Sequence, residues 1–476
     1  MTRSATAAFV AALLLTAAPP ATAATEPDLA AVERFVAEQA DAAAYPGVAV
    51  AITRGDRVVR TFGHGTTSAG VEVTARTRMP IASVSKSFTA LAAVQLAERG
   101  ELDLDAPITR HVPEFHLADP RGSAITTRHL LGQTSGITDR TLPEKSLPQP
   151  ASLDAVVDRV NPTSLASDPG ARYHYTNTNF HLAALVVQRV TGEQFADYLR
   201  DNVFAPLDMR DTTAITTTDE LPDDVADGHL FAYGASIPAT EPSRFVAGSD
   251  GIVSTAEDMG KWLAAQSGAA QSGAAQSGDA WLVAPETLAA MRVPAFPGST
   301  YGLGWQTGDG RARHSGIWFT HCAGQLLLDS GHGVVVLANS GVALGNEGTG
   351  ALEDGIAAIL EGHDAQPSSP RSPVELALGA VTVLSLVLGV LALRRPWRPR
   401  TTWQVVARLA PRLVPAVFLL LAPTLLGLLV GGGRDITAFQ LALYSPALVL
   451  WLALSAVLNL AVLTTRLVRL ARPVTG

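Results

Sequence analysis

Cysteine is nearly absent from this chain of 476 residues, in which Cys322 is the only one. A scaffold held by disulfides is therefore excluded, because such scaffolds need paired cysteines. Charged side chains are also scarce, at 16% of the residues, whereas soluble domains usually carry about 25%. Hydrophobic residues make up 47%, so most of the chain can bury a core and is not disordered. The low charge predicts that part of the chain lies in a membrane.

The net charge of −8 is divided unevenly along the sequence. From residue 374 onward, ten arginines stand against Glu375 and Asp435, which gives +8. The preceding residues carry 25 basic and 41 acidic side chains, or −16. A nucleic-acid partner is not expected, because it would need basic clusters on the folded part of the chain.

The N-terminus has the pattern of a secretory signal peptide. One arginine precedes an apolar stretch from Ala7 to Ala18, and small residues end at Ala23. Residues 1–23 are therefore predicted to be a signal peptide that is cleaved after about Ala23. The alternative is an uncleaved anchor helix, although twelve apolar residues are few for a bilayer. Either outcome places the following segment outside the cytoplasm.

The C-terminal part is predicted to be a membrane domain. Residues 364–373 form a linker rich in proline and serine, and residues 374–476 contain three uncharged apolar runs. Each run has at least 18 residues, which is enough for a membrane-spanning helix. The runs are Leu376–Leu393, Leu413–Gly433 and Ile436–Thr465.

The arginines predict the orientation of these runs. Six arginines separate the first run from the second, whereas the second connection has only Arg434 beside Asp435. Arginine-rich connections stay in the cytoplasm, so we expect an extracytoplasmic N-terminal domain and a cytoplasmic C-terminus at the cell membrane. Transporters usually need ionisable groups at membrane depth. The tail is therefore interpreted as an anchor or as a module that binds a membrane partner, which the sequence does not identify.

Residues 28–363 are predicted to form an α+β domain. Strand patterns occur at both ends of this segment and helical patterns lie between them, which indicates one sheet with a mostly helical insertion. The clearest elements are the hairpin Gly47–Thr53 and Val58–Phe62, the helix Ser83–Glu98, and the strands Gly324–Asp329 and Gly333–Ala338.

Several common catalytic motifs are missing from the sequence. No Gly-x-Ser-x-Gly elbow, His-Glu-x-x-His sequence or P-loop occurs, which argues against an α/β-hydrolase, a zinc protease and a nucleotide-binding enzyme. His321 and Cys322 are neighbours in a predicted strand, so they point to opposite faces and make a poor metal pair.

A serine and a lysine remain as a catalytic pair at the start of a predicted helix. Ser83 and Lys86 are three residues apart and share a helix face, so the amine can reach the hydroxyl. A partly desolvated lysine can act as a base toward serine. The free N–H groups of the helix N-terminus can stabilise an oxyanion. Because lysine is rare here, only about 0.2 matches to Ser-x-x-Lys are expected by chance.

Two further motifs follow in the chain, Tyr175-Thr176-Asn177 and His314-Ser315-Gly316. In this order the three motifs resemble those of the serine β-lactamase and penicillin-binding-protein superfamily, particularly its class C-like branch. The resemblance covers about residues 28–362 and leaves the tail unexplained. Four other stretches resemble the family, namely Gly100–Asp105, Leu130–Gly136, Gly251–Asp258 and Tyr301–Trp305.

The resemblance implies a β-lactamase/transpeptidase-like sheet domain beside a helical domain, with the active site between them and no metal or organic cofactor. It implies Ser83 as the acylated nucleophile, Lys86 as its base partner and Tyr175 as a second acid–base group. The implied substrate-binding residues are Asn177, His314, Gly316 and Ile317, with an oxyanion hole formed by the N–H groups of Ser83 and Ile317. Asn177 could alternatively cap the helix that follows it.

These features predict a membrane-anchored extracytoplasmic serine hydrolase that acts through an acyl-enzyme on small-molecule or peptide substrates. Esters and amides are candidates, including cell-wall peptides of D-amino acids. The alternatives are a true β-lactamase, a D,D-carboxypeptidase, or a non-catalytic sensor or binder of the same fold. His314 stands where better-known family members have lysine, and a neutral imidazole cannot hold a substrate carboxylate as an ammonium can.

Overall fold

The structure, a computed structural model, describes residues 28–267, 282–342, 348–367, 372–395, 401–429 and 433–471. The predicted signal peptide 1–23 and part of the predicted linker 364–373 lie outside these described residues. The strands are β1 (Gly47–Arg54), β2 (Arg57–Gly65), β3 (Met79–Pro80), β4 (Thr213–Ala214), β5 (Gly228–Ala232), β6 (Ala235–Ala239), β7 (Ile252–Ser254), β8 (Gln306–Gly308), β9 (Arg311–Ile317), β10 (Cys322–Leu328) and β11 (His332–Ala338).

The α-helices of the N-terminal domain are α1 (Leu29–Ala42), α2 (Ser85–Glu98), α3 (Thr127–Leu131), α4 (Leu153–Val160), α5 (Asn177–Thr191), α6 (Phe195–Leu199), α7 (Ala256–Gln266), α8 (Pro285–Met291) and α9 (Gly350–Leu360). Those of the tail are α10 (Ser372–Arg394), α11 (Thr402–Leu409), α12 (Val414–Leu429), α13 (Ala438–Tyr444) and α14 (Pro446–Ala471).

The main sheet joins the two ends of the N-terminal domain. Among the described residues, six strands pair in the order β2-β1-β11-β10-β9-β8. β1 and β11 are antiparallel neighbours, with Val48 opposite Ala338 and Arg54 opposite His332. The prediction of a sheet built from sequence-distant strands with helices between them is therefore confirmed. The intervening segment also contains two small sheets that were not predicted, β3-β7-β4 and β5-β6.

Apolar layers cover both faces of this sheet. In β1, Val48, Val50 and Ile52 pack in the core formed with α1 and α9. Ala49 and Ala51 point the other way, into the core shared with α2 and α7. Neighbouring residues of a strand face opposite sides, so a strand covered on both faces is apolar throughout.

Helix α2 is buried along almost its whole length. Every residue from Ser85 to Leu96 is buried, and the ring of Phe88 stacks on Trp262 of α7 with 3.6 Å between ring centres. The indole N–H of Trp262 donates to Gln325 Oε1 of β10 at 2.9 Å. These contacts fix the first turn of α2 relative to the sheet.

Three helical stretches of the described tail are long and apolar enough to cross a membrane, namely Pro373–Arg394, Thr402–Leu429 and Pro446–Ala471. They indicate membrane association. The predicted start of the third run at Ile436 is wrong, because α13 is a separate helix and the long helix begins at Pro446. Proline disfavours the helical conformation in the residue before it, and Ser445 accordingly has a ψ of 73°.

Replacing Trp262 by alanine is expected to lower the free energy of unfolding by about 3–5 kcal/mol. The change removes the ring stacked on Phe88 and leaves the buried Gln325 Oε1 without its indole donor. The exposed Trp403 is the matched control, and its replacement should change the free energy by less than about 0.5 kcal/mol. Urea unfolding of the full chain in detergent measures both, and equal effects would contradict this account of the core.

Candidate active site

Ser83 and Lys86 lie on one face of the helix start, as their spacing predicted. Ser83 belongs to a 3₁₀ turn, Ala82–Val84, directly before α2. The Nζ atom of Lys86 donates to Ser83 Oγ at 2.9 Å, to the Ser249 carbonyl at 2.9 Å and to Asp250 Oδ1 at 3.1 Å. The lysine is 0% exposed. Three acceptors are the number that one ammonium group can serve.

Asp250 is a member of this site that the sequence analysis missed. Ser83 Oγ donates to Asp250 Oδ1 at 2.6 Å, and Asn177 Nδ2 donates to Asp250 Oδ2 at 2.9 Å. Asp250 directly precedes the family-like stretch Gly251–Asp258. Its contact with Ser83 spans 167 positions, however, and no local pattern reports so distant a pairing.

The charges around Asp250 keep it ionised. Burial favours the neutral carboxylic acid. The positive charges of Lys86 and Arg244 and a hydrogen bond from Ser83 outweigh burial and hold the pKa of Asp250 well below its usual range. Arg244 Nη1 lies 3.5 Å from Asp250 Oδ2. The nucleophile therefore faces a carboxylate on one side and an ammonium on the other.

The backbone around Ser83 is tightly constrained. Ala82 has a φ of +47°, a left-handed conformation that costs a residue with a side chain about 1–3 kcal/mol. A Cβ atom at Gly316 of β9 would lie 2.2 Å from the Ile81 carbonyl oxygen and 3.0 Å from Ser83 N. Glycine is thus required where β9 passes the nucleophile's turn, and this brings Ile317 next to Ser83.

Tyr175 lies beside two cations. Lys86 Nζ is 5.0 Å from the centre of its ring, and Arg434 Cζ is 4.9 Å from it. Within the described part of the chain, the hydrogen bonds of Ser83 Oγ run to Lys86 and Asp250. The second acid–base role of Tyr175 therefore stays a prediction.

Asn177 is the first residue of α5, whereas Thr176 occupies the N-cap position. The alternative role of Asn177 as a helix cap is therefore not what the structure shows. Its side-chain nitrogen is engaged by Asp250. Its Oδ1 atom is buried and has no hydrogen-bond partner among the described residues.

Gln133, in the family-like stretch Leu130–Gly136, positions the Tyr175–Asn177 segment. Its side chain donates to the Thr176 carbonyl at 3.1 Å and accepts from Thr176 N at 3.2 Å and from Asn179 Nδ2 at 2.7 Å. Gln133 is buried and has a φ of +57°. The stretch Leu130–Gly136 was identified from the sequence, but the role of Gln133 in positioning the Tyr175–Asn177 segment was not.

His314 is buried behind the wall of the site. Its Nδ1 lies 2.9 Å from the Ser315 carbonyl, so it donates there, and Nε2 accepts from the Tyr301 hydroxyl at 3.0 Å. Burial, followed by the nearby charge of Lys86, lowers the pKa of His314 to about 3. The imidazole is therefore neutral, as the sequence analysis expected. Both ring nitrogens already have hydrogen-bond partners in the protein. The contact of His314 with substrate therefore stays a prediction.

A cavity of about 200 Å³ opens onto the nucleophile, and its lining includes Ser83, Asn177, Asp250 and Ile317. Side chains of the tail also line this cavity, among them Phe439 and Tyr444. Among the described residues, no group of three or more His, Cys, Asp or Glu side chains could hold a metal ion.

The family model for β-lactamase matches residues 32–357, which is more than half of the chain. The chain belongs to the β-lactamase family. Its fold agrees with an octameric penicillin-binding protein homologue from Pyrococcus abyssi, with a TM-score of 0.59 and 23% identity over 75% of this chain and 81% of that one.

Two curated relatives of this β-lactamase family member are informative. Protein flp of Staphylococcus aureus (strain MW2) is 29% identical over 46% of this chain and 45% of its own length. D-aminopeptidase of Brucella canis is 28% identical over 49% of this chain and 45% of its own length. The chain thus spans about half the length of these relatives. Together with the family match, they support its assignment as a serine hydrolase.

Replacing Asp250 by asparagine is expected to lower kcat/KM by about 10²–10⁴-fold. A neutral amide can neither take the proton of Ser83 nor balance the buried charge of Lys86. Asp258 is a matched control, because it is also buried and paired with a lysine, Lys261, at 3.0 Å. Asp258→Asn should retain the turnover of the wild type in its folded fraction. Wild-type turnover in Asp250→Asn would exclude Asp250 from the chemistry.

Proposed function

We propose that this chain is a membrane-anchored hydrolase that cleaves esters or amides through an acyl-enzyme on Ser83, with its catalytic domain on the extracytoplasmic side. The observation that carries the proposal is the hydrogen-bonded group of Ser83, Lys86 and Asp250 at the cavity. A serine needs a proton acceptor and a stabilised oxyanion to attack a carbonyl. In this proposal the carboxylate of Asp250 accepts the proton, and the N–H groups of Ser83 and Ile317 stabilise the oxyanion.

The proton of Ser83 moves to Asp250 Oδ1, the atom to which the hydroxyl already donates, while Oγ bonds to the substrate carbonyl carbon. A carboxylate whose pKa is held low is too weak a base to ionise the hydroxyl before that bond forms. Lys86 donates to three oxygens, so it supports the developing charge on Oγ rather than accepting a proton at this stage. The new bond joins Oγ to the substrate carbonyl carbon. The alkoxide or amine then leaves with the proton held by Asp250, and an acyl-enzyme remains. Water releases the acyl group by the reverse sequence of proton transfers.

Three of the four cations that line the cavity, Lys145, Arg244 and Arg434, are already engaged by carboxylates, and the fourth is Arg159. Arg244 pairs with Glu241 and Asp250, and Arg434 pairs with Asp139 and Glu144, so both guanidinium groups are already engaged. The neutral His314 offers no cation for a substrate carboxylate. These observations weigh against a β-lactamase or D,D-carboxypeptidase. A substrate carboxylate that finds no cation forgoes one charge-assisted hydrogen bond, which weakens its binding by about 1.5–3 kcal/mol.

An amide substrate is favoured by the unpaired Oδ1 of Asn177. A buried acceptor without a partner is costly, and an amide N–H of the substrate would satisfy it once the Asn177 side chain turns toward the cavity that it lines. The D-aminopeptidase relative supports the same class of substrate. A peptide or amide of D-amino acids is therefore our preferred candidate, and a simple ester is the second.

A serine-directed phosphonate should label the wild type and Ser87→Ala but not Ser83→Ala. Ser87 is one turn further along α2, and its hydroxyl donates to the Val84 carbonyl. Ser83→Ala should also lose several orders of magnitude in turnover. Mass spectrometry of the labelled full chain locates the adduct.

The same protein should hydrolyse neutral esters and D-amino amides faster than a chromogenic cephalosporin, and the reverse order would overturn the substrate class.

The proposed orientation can be tested with thiol labelling of intact cells. Cys322 is the only cysteine and is buried, so the wild type is a low-background control. A membrane-impermeant maleimide should label Ala69→Cys, at an exposed position of the N-terminal domain, without permeabilisation. Thr401→Cys, in the arginine-rich connection, should react only after permeabilisation. The opposite pattern would place the catalytic domain in the cytoplasm.

A further inference from the structure

The segment between the second and third membrane helices reaches the active site. We call residues 433–445 the connecting segment. Arg434 donates from Nε to Asp139 Oδ2 at 3.1 Å and from Nη2 to Glu144 Oε1 at 3.2 Å. The Asp435 carboxylate accepts from Ser146 N at 2.7 Å. From the sequence alone, Arg434 and Asp435 served only to predict the orientation of the membrane helices.

Glu144 links this segment to the residues that bind the nucleophile's partner. It is buried and accepts from Thr178 N at 3.0 Å and from the Thr176 hydroxyl at 3.0 Å. These residues flank Asn177, which in turn donates to Asp250. The charge of Arg434 lowers the pKa of Glu144 against the opposing effect of its burial, so the pair is ionic. The tail thus supports the start of α5.

The connecting segment also forms a wall of the cavity. Its helix α13 is closed at its N-terminus by a capping box between Thr437 and Gln440. The ring of Tyr444 packs against Phe319 with 4.8 Å between ring centres. The residues that line the cavity include Ser83, Asn177 and Ile317 of the domain and Thr437, Phe439 and Gln440 of the segment.

This wall lies at the level where the membrane helices end. The second membrane stretch stops at Leu429 and the third starts at Pro446, so the segment between them is at the membrane surface. Tyr233 of the domain is fixed to the same end of the bundle. Its N–H donates to Glu375 at 2.8 Å and its hydroxyl to the Ala447 carbonyl at 3.3 Å. Ser83 therefore opens into a cavity that this end of the helical bundle borders.

Apolar side chains among the polar groups of the cavity indicate which substrates it accepts. Phe439 is 62% exposed although it borders the cavity, and Ile317, which also lines it, is exposed. An acyl chain that rises from the bilayer would cover both side chains and keep its carbonyl near Ser83. A soluble polar substrate would leave this apolar surface in water.

We propose that the substrates are membrane-resident amphiphiles and that Phe439 of the connecting segment selects their acyl chain. This inference rests on the proposed acyl-enzyme function and narrows its amide and ester substrates to those that carry an acyl chain. It also gives the second connection a role that an anchor alone would not need.

The test uses the full chain in detergent with the 4-nitrophenyl esters of acetate, butyrate and octanoate. The wild type should show kcat/KM rising with chain length. Phe439→Ala should lower the ratio of octanoate to acetate by roughly tenfold, the effect of exposing about two methylene groups. Phe439→Trp should fill the wall and shift the preference toward butyrate. Phe418→Ala removes another exposed phenylalanine of the tail and should keep the ratio of the wild type.

The Phe418 control separates a contact at the site from partitioning of the esters into micelles, because all variants share the same detergent. A flat dependence on chain length in the wild type, or equal ratios in Phe439→Ala and the wild type, would overturn the inference. If Ser83 is labelled by the phosphonate and cleaves acetate in such a case, the proposed function survives. If Ser83 is neither labelled nor needed for turnover, the proposed function fails and this inference fails with it.

Discussion

Burial of the Lys86 ammonium is the constraint on which the active site depends. A charged group taken out of water costs several kcal/mol unless it is paired and hydrogen-bonded. Lys86 is fully buried and meets this condition with Ser83, the Ser249 carbonyl and Asp250. The segment that ends in Asp250 must therefore pack against α2, and the same carboxylate then orients the nucleophile. Stability and chemistry share these contacts.

The single ammonium beside the serine, that of Lys86, also explains why His314 on strand β9 is neutral. A second cation beside Lys86 would be repelled in so buried a place. His314 avoids this cost by staying neutral, with Tyr301 as its partner. The positive charge around the nucleophile therefore comes from Lys86, Arg244 and Arg434, which pair with carboxylates, and not from His314.

Local patterns predicted the parts of this molecule that depend on neighbours in sequence. The hairpin β1–β2, helix α2 and the i to i+3 contact of Ser83 with Lys86 follow from periodicity and helix geometry. Asp250, Gln133 and Arg434 could not be found this way, since their partners are distant in sequence and each has an ordinary local context. The motif Tyr175-Thr176-Asn177 was recognised, but the long-range contacts that hold it were not. The break between two helices at Ser445 was missed as well, because hydropathy measures only how apolar a run is and does not show that Pro446 starts a new helix.

The position of Arg434 so late in the chain has a consequence for biogenesis. The N-terminal domain is synthesised before the second and third membrane helices, so Glu144 and Tyr175 are without Arg434 during that interval. The cavity acquires its second wall only when both helices are in place and the segment between them has docked. Docking of this segment is thus the last step in building the active site, and the nascent domain leaves the ribosomal tunnel as an incomplete enzyme while the tail is still being synthesised.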